Sequence, residues 1–211
     1  MKKITLVLLS LGFAFNAKAE LPDELLAVQT RWAQIRYEVP EAQRAAAFEA
    51  LQKDAATLRQ HYPDRAEPLI WEGIVYATWA GAKGGLGALG LCKKAKADFE
   101  AALALDANAL DGSAYTSLGS LYYQVPGWPI GFGDDDKAAE LLQKGLAIAP
   151  DGIDANFFWG DYLLEQERYE DAVRALEHAA AAPPRAGRES ADAGRQQEIA
   201  AKLKLAREEL S

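Results

Sequence analysis

Residues 119–184 read GSLYYQVPGWPIGFGDDDKAAELLQKGLAIAPDGIDANFFWGDYLLEQERYEDAVRALEHAAAAPP, and their spacing decides the fold. From Gly160, Ala172 follows after twelve residues, then Leu176 after four, Ala179 after three and Pro184 after five. Ala138, Leu142, Gly145 and Pro150 repeat the second half of that ladder, with Gly119 and Tyr122 upstream. Ala95, Phe99, Ala102 and Ala107 repeat it again, with Gly73 and Tyr76 upstream. Internal repetition of this kind signals a stack of like units. Each unit reads as two antiparallel helices: a glycine on helix A and an alanine on helix B permit close approach, and Phe99, Leu142 or Leu176 fills the space between. Asp106, Pro150 and Pro184 stop helix B.

The pitch is 41 residues from Gly119 to Gly160 and 46 from Gly73 to Gly119. Two stretches account for the excess, GAKGGLGALG (residues 81–90) and VPGWPIGFGDDD (residues 125–136), both expected as long A–B turns on one edge of the stack. Trp128 and Phe132 in the second turn are candidate partner-binding residues, because aromatics on a Pro/Gly-rich turn either plug a gap or anchor a partner. With Trp79, Leu86 and Leu89 they are expected to form an apolar patch or pocket, which gives an alternative reading as a carrier of a small apolar ligand.

Beyond the first 19 residues, β-branched residues are scarce and good helix formers dominate, so the fold class is all-α. Residues 20–63 read as an N-terminal helix pair, broken at Val39-Pro40 and closed at Tyr62-Pro63. Residues 64–184 hold the three repeats, and residues 185–211, with Ile199, Leu203 and Leu205 among many charges, read as a C-terminal capping helix. The whole is expected as a right-handed superhelix of antiparallel helix pairs.

The first 19 residues carry Lys2 and Lys3, an apolar stretch from Ile4 to Phe15, and Ala17-Lys18-Ala19, the pattern of a cleaved secretory signal. About a dozen apolar residues are too few to span a bilayer. With no cysteine beside the cleavage site, the mature chain is expected free in the periplasm. Cleavage leaves 20 basic residues against 31 acidic ones, a net charge of −11, which disfavours nucleic acid and anionic membranes as partners. Cys92 is the only cysteine, so no internal disulfide forms, and burial is its expected state.

No motif for catalysis or for a resident cofactor or metal stands out, so the chain is expected to bind rather than catalyse. Gly85 to Gly90 matches the literal spacing GxGxxG, but a helix precedes it and the βαβ context of a dinucleotide site is missing. Asp134, Asp135 and Asp136 suit a helix N-terminus better than a calcium loop, since an acid there accepts free backbone N–H groups. His61 and His178 lack partners at metal-ligand spacing.

The repeat pattern resembles the tetratricopeptide repeat. Gly131-Phe132-Gly133-Asp134, Lys137-Ala138 and Ala147-Ile148-Ala149-Pro150, with the Gly-rich stretch before Cys92, are more specifically similar to the TRAP-transporter-associated periplasmic TatT proteins. Those relatives are lipoproteins, whereas this chain lacks the cysteine for an anchor. The resemblance implies a periplasmic scaffold for protein partners, accessory to a transport or envelope system. It also implies a partner groove along the A helices, which in this register falls on Ile70 and Ile74, then Thr116, Ser120 and Tyr123, then Phe157, Asp161 and Leu164.

Overall fold

The structure, a computed structural model, describes residues 21–211, with the Leu86 side chain left out; the expected signal at residues 1–19 lies outside them. The described residues form helices α1 (Leu21–Tyr37), α2 (Glu41–His61), α3 (Ala66–Lys83), α4 (Gly85–Leu105), α5 (Ala109–Gln124), α6 (Asp135–Ile148), α7 (Ile153–Glu165), α8 (Tyr169–Ala180) and α9 (Glu189–Glu208). The all-α class and the stack of antiparallel pairs are as the sequence predicts.

The ladder of small and large residues sets how the three central pairs pack. A Cβ added to Gly73 would lie 2.6 Å from the Phe99 ring, one on Gly119 2.8 Å from Leu142, and one on Gly160 2.7 Å from Leu176. All three distances are shorter than van der Waals contact, so only glycine admits the partner helix. Ala95, Ala138 and Ala172 on the facing helices are fully buried, as are Phe99, Leu142 and Leu176 to within 1%. The same device therefore recurs in α3/α4, α5/α6 and α7/α8.

The two long turns differ from each other. Residues 81–90, expected as a turn, are helical except at Gly84: α3 runs on to Lys83 and α4 begins at Gly85. Gly84 and Gly85 take φ of 60° and 63°, which glycine alone adopts without strain, and the Gly84 N–H closes α3 on the Ala80 carbonyl at 3.0 Å. The excess length lies instead in the helices, 18 and 21 residues against 13 and 12 in α7 and α8. Glycines inside a helix cost about 1 kcal/mol each, and packing of Ala88, Leu89 and Cys92 against the main core offsets that cost. Residues 125–134 do form an irregular loop.

The odd-numbered helices form a closed inner ring, α1 beside α3, α3 beside α5, α5 beside α7, α7 beside α9, and α9 back beside α1. The even-numbered helices lie outside. Helix α9 is thus more than the expected terminal cap. Ile199 packs with Ile153, Phe157 and Leu176, while Ala191 joins the core of α1 around Leu25 and Trp32. Gly194 lies against Tyr37 so tightly that a Cβ would meet its ring at 2.4 Å.

Replacing Gly160 by Ala should destabilise the fold by roughly 1–3 kcal/mol through overpacking. Gly81→Ala has open space around its Cβ and should instead be neutral or stabilising by about 0.5–1 kcal/mol. Urea unfolding of both variants beside the parent chain measures the contrast.

Candidate functional site

Inside the ring lies a partly enclosed cavity of about 700 Å³, lined by residues of all five odd-numbered helices. Of the groove positions expected from the repeat register, it brings together Ile74, Thr116, Ser120, Phe157 and Asp161. Three others do not line it. Ile70 is fully buried against Leu69, Ala102 and Ala114, Leu164 packs into the main core, and Tyr123 reaches the site only through its hydroxyl, which donates to Asp161 Oδ2 at 2.7 Å. Burial, and then Asp161, raise the Tyr123 hydroxyl well above its ordinary pKa, so it stays a donor.

Where α7, α9 and the link before α9 meet, arginines and carboxylates alternate. Asp154, in the first turn of α7, accepts from Arg195 Nε at 2.8 Å and from Arg185 Nη1 at 2.7 Å. Burial alone would raise the Asp154 carboxyl, but Arg195 and Arg185 outweigh it and hold it at about 2. Arg195 is 8% exposed, spreads its guanidinium over Phe157 at 4.2 Å, and donates to Glu198 at 2.5 Å. Glu198 also receives Arg36 at 2.6 Å and the Tyr37 hydroxyl at 3.2 Å, both from α1. Lys202 pairs with Asp161 at 2.7 Å.

Arg188 differs from these neighbours. Its guanidinium lies over the Trp71 ring at 5.0 Å, its Nε is buried without a hydrogen-bond partner, and among the described residues it makes no ion pair. Burial, then the nearby Arg185, lower its pKa from the ordinary arginine value, against the opposing pull of Asp154 and Asp192. The start of α5, which also lines the cavity, holds Leu110, Asp111 and Gly112 at φ of 48°, 55° and 71°. Two non-glycine residues in succession in the left-handed region cost roughly 1–2 kcal/mol each.

The second expected site is on the outer edge. In the 125–134 loop, the Ile130 and Gly131 N–H groups both donate to the Gly127 carbonyl at 3.1 Å, and the Gly133 N–H donates to the Pro126 carbonyl at 3.0 Å. A Cβ on Gly131 or Gly133 would strike a carbonyl oxygen at 2.3 or 1.9 Å, which is why glycine flanks Phe132. Phe132 packs edge-on against Tyr122 at 5.6 Å and fixes the loop's base. Trp128 is 90% exposed and Ile130 71%. Trp128 therefore does not join Phe132, Trp79 and Leu89 in an apolar pocket as the sequence reading expects; the cavity described above lies in the inner ring.

Asp134 caps α6 by accepting from the Lys137 N–H at 3.0 Å, so this carboxylate is the helix cap the sequence suggests. Burial pushes the half-buried Cys92 thiol up. His61 and His178 face Glu24 and Asp151. Among the described residues no group of three His, Cys, Asp or Glu could hold a metal ion, and no helix is long and apolar enough to cross a membrane.

Sequence reasoning passed over Arg185, Arg188 and Arg195. Arg188 and Arg195 stand seven apart, with Glu198 and Lys202 three and seven further on, which is a helical stripe amid the charges of the last segment. Ile130 was passed over too, though it sits between Trp128 and Phe132.

No protein family's sequence profile matches the chain, and no curated protein sequence matches it. Among solved structures, the fold resembles TTC0263, a thermophilic tetratricopeptide protein of Thermus thermophilus, at a TM-score of 0.59 and 17% identity over 90% of this chain and 91% of that one. MamA is also similar, at a TM-score of 0.46 and 19% identity over 78% of this chain and 89% of that one. A further match, MamA 41-end from Desulfovibrio magneticus RS-1, has a TM-score of 0.45 and 18% identity over 87% and 94% of the two chains. The fold is that of a tetratricopeptide-type helical-repeat protein.

Asp154→Asn should lower stability by about 1–3 kcal/mol near neutral pH, since it leaves Arg195 buried with one carboxylate fewer. Because the folded pKa is below the ordinary carboxyl value, the native Asp154 stabilises above about pH 4 and loses that effect as pH falls toward 2. The gap between parent and variant in urea unfolding should therefore narrow over that range.

Outside the ring, Arg59 is shared by Asp98 at 3.0 Å and Glu72 at 3.1 Å, both buried. Burial, then Glu72, push the Asp98 carboxyl up to about 7. A raised carboxyl stabilises below its ordinary value and loses that effect as pH rises through about 7. Asp98→Asn should therefore be more stable than the parent at about pH 8, with the advantage gone near pH 4.

Proposed function

We propose that the protein is an exported periplasmic scaffold that docks a protein partner on the 125–134 loop and catalyses nothing. The observation that carries this reading is the pair of large apolar side chains, Trp128 at 90% and Ile130 at 71% exposure, on a loop whose own hydrogen bonds hold it in shape. A tryptophan presented on a rigid base loses little entropy when it is covered, and burial of each side chain is worth about 1.5–3 kcal/mol. The tetratricopeptide-type fold supports a scaffold, and the likeness of the middle repeat to TatT proteins supports an accessory role in a transport or envelope system. Export rests on the basic, apolar and small-residue pattern of residues 1–19.

A pull-down from periplasmic extract with the mature chain, beside Trp128→Ala/Ile130→Ala, tests the reading. Phe132 is kept because it anchors the loop on Tyr122. The expected result is a specific partner lost by the variant, at least about tenfold, with helicity by circular dichroism unchanged. An unchanged partner list, or no partner at all, contradicts docking at this loop. Cell fractionation with N-terminal sequencing should find the chain in the periplasm, beginning at Glu20; full-length chain in the cytoplasm contradicts export.

A further inference from the structure

We infer that the cavity within the helical ring binds a small organic anion, its carboxylate or equivalent oxyanion held by Arg188 and its apolar body laid against Trp71, Ile74 and Leu110. This site is separate from the partner-docking loop and goes beyond the scaffold reading.

Charge placement points to an anion. Arg36, Arg185, Arg195 and Lys202, the other basic groups lining the cavity, each pair with a carboxylate, whereas Arg188 has none and keeps a buried Nε without an acceptor. Arg188 thus lines the cavity with a charge that no carboxylate pairs, and an oxyanion in the cavity beside its guanidinium supplies the missing partner. The planar fork of arginine suits two oxygens of one carboxylate or phosphate. The guanidinium carbon lies 5.0 Å from the centre of the Trp71 ring, and Trp32 packs edge-on against Trp71 at 5.9 Å.

The remainder of the wall selects the body of the ligand. Trp71, Ile74 and Leu110 supply apolar surface around the head site, and Leu110 is held there by its left-handed backbone, φ 48° and ψ 48°. Strain of that kind persists where the surrounding structure enforces it, and it commonly marks ligand-contacting segments. Ser113, Ser117 and Ser120 of α5 add hydroxyls along the cavity, so a ligand with polar substituents further along its body also finds partners. A volume of about 700 Å³ holds one drug-sized molecule and leaves no room for a folded partner.

Isothermal titration of the mature chain with decanoate, decyl phosphate and decanol tests the inference, because the three share a chain and differ in the head. The expected result is a single saturable site for at least one of the two anions, with decanol at least about tenfold weaker; which anion binds more tightly distinguishes a carboxylate from a phosphate head. Arg188→Gln should weaken the anions by about ten- to a hundredfold and leave decanol unchanged. Arg188→Lys should retain part of the affinity. Trp128→Ala/Ile130→Ala should bind the anions like the parent, which separates this inference from the docking loop. Decanol binding as tightly as the anions, no saturable binding of any of the three, or unchanged anion affinity in a folded Arg188→Gln chain would overturn it. Should Arg188→Gln not fold, the anion-against-decanol comparison on the parent chain decides.

Discussion

The contact between α9 and α1 is the constraint on which the rest of the molecule depends. Without it the repeats would curve past one another and leave an open groove. With it, Gly194 seats against the Tyr37 ring, and Glu198 takes hydrogen bonds from Arg36 and Tyr37 of α1 as well as from Arg195 of its own helix. A carboxylate with three cationic or hydroxyl donors from two ends of the chain is a strong, geometry-specific closure. The same helix brings Arg195 and Lys202 against Asp154 and Asp161 of α7, so closing the ring also builds the walls of the cavity.

Closure divides the surface into two regions of different chemistry. The inner face has become a chamber of small-molecule size with a surplus of positive charge at Arg188. The outer edge carries a loop held by its own backbone bonds, with Trp128 and Ile130 in solvent. The two share α5, whose first turn walls the cavity and whose last residue, Gln124, leads into the loop. In a chain of net charge −8, the arginines of this internal wall are held by carboxylates, Arg188 excepted.

Much of this was legible in the residues. The steps between glycine, alanine and the large residue predict which side chains touch, because close packing leaves only a few size combinations for two helices in contact. Gly73 against Phe99, Gly119 against Leu142 and Gly160 against Leu176 follow directly. Residues 81–90 misled because their glycines suggest a turn from local propensity, whereas packing of Ala88 and Leu89 keeps them helical and a single residue, Gly84, makes the turn. The partner of α9 was beyond reach. Contacts such as Arg36 with Glu198 join residues 162 apart, and one sequence does not record which distant helix faces which. For that reason Thr116, Ser120, Phe157 and Asp161 could be named from the repeat register, while Arg188 and Arg195 could not be placed beside them.

Small-angle X-ray scattering of the mature chain, extrapolated to zero concentration, tests ring closure most directly. A compact domain of this length has a radius of gyration of about 16 Å. The closed ring predicts that value with a single symmetric peak in the pair-distance distribution. A radius above about 20 Å with a long tail, as an open stack of helix pairs would give, contradicts it.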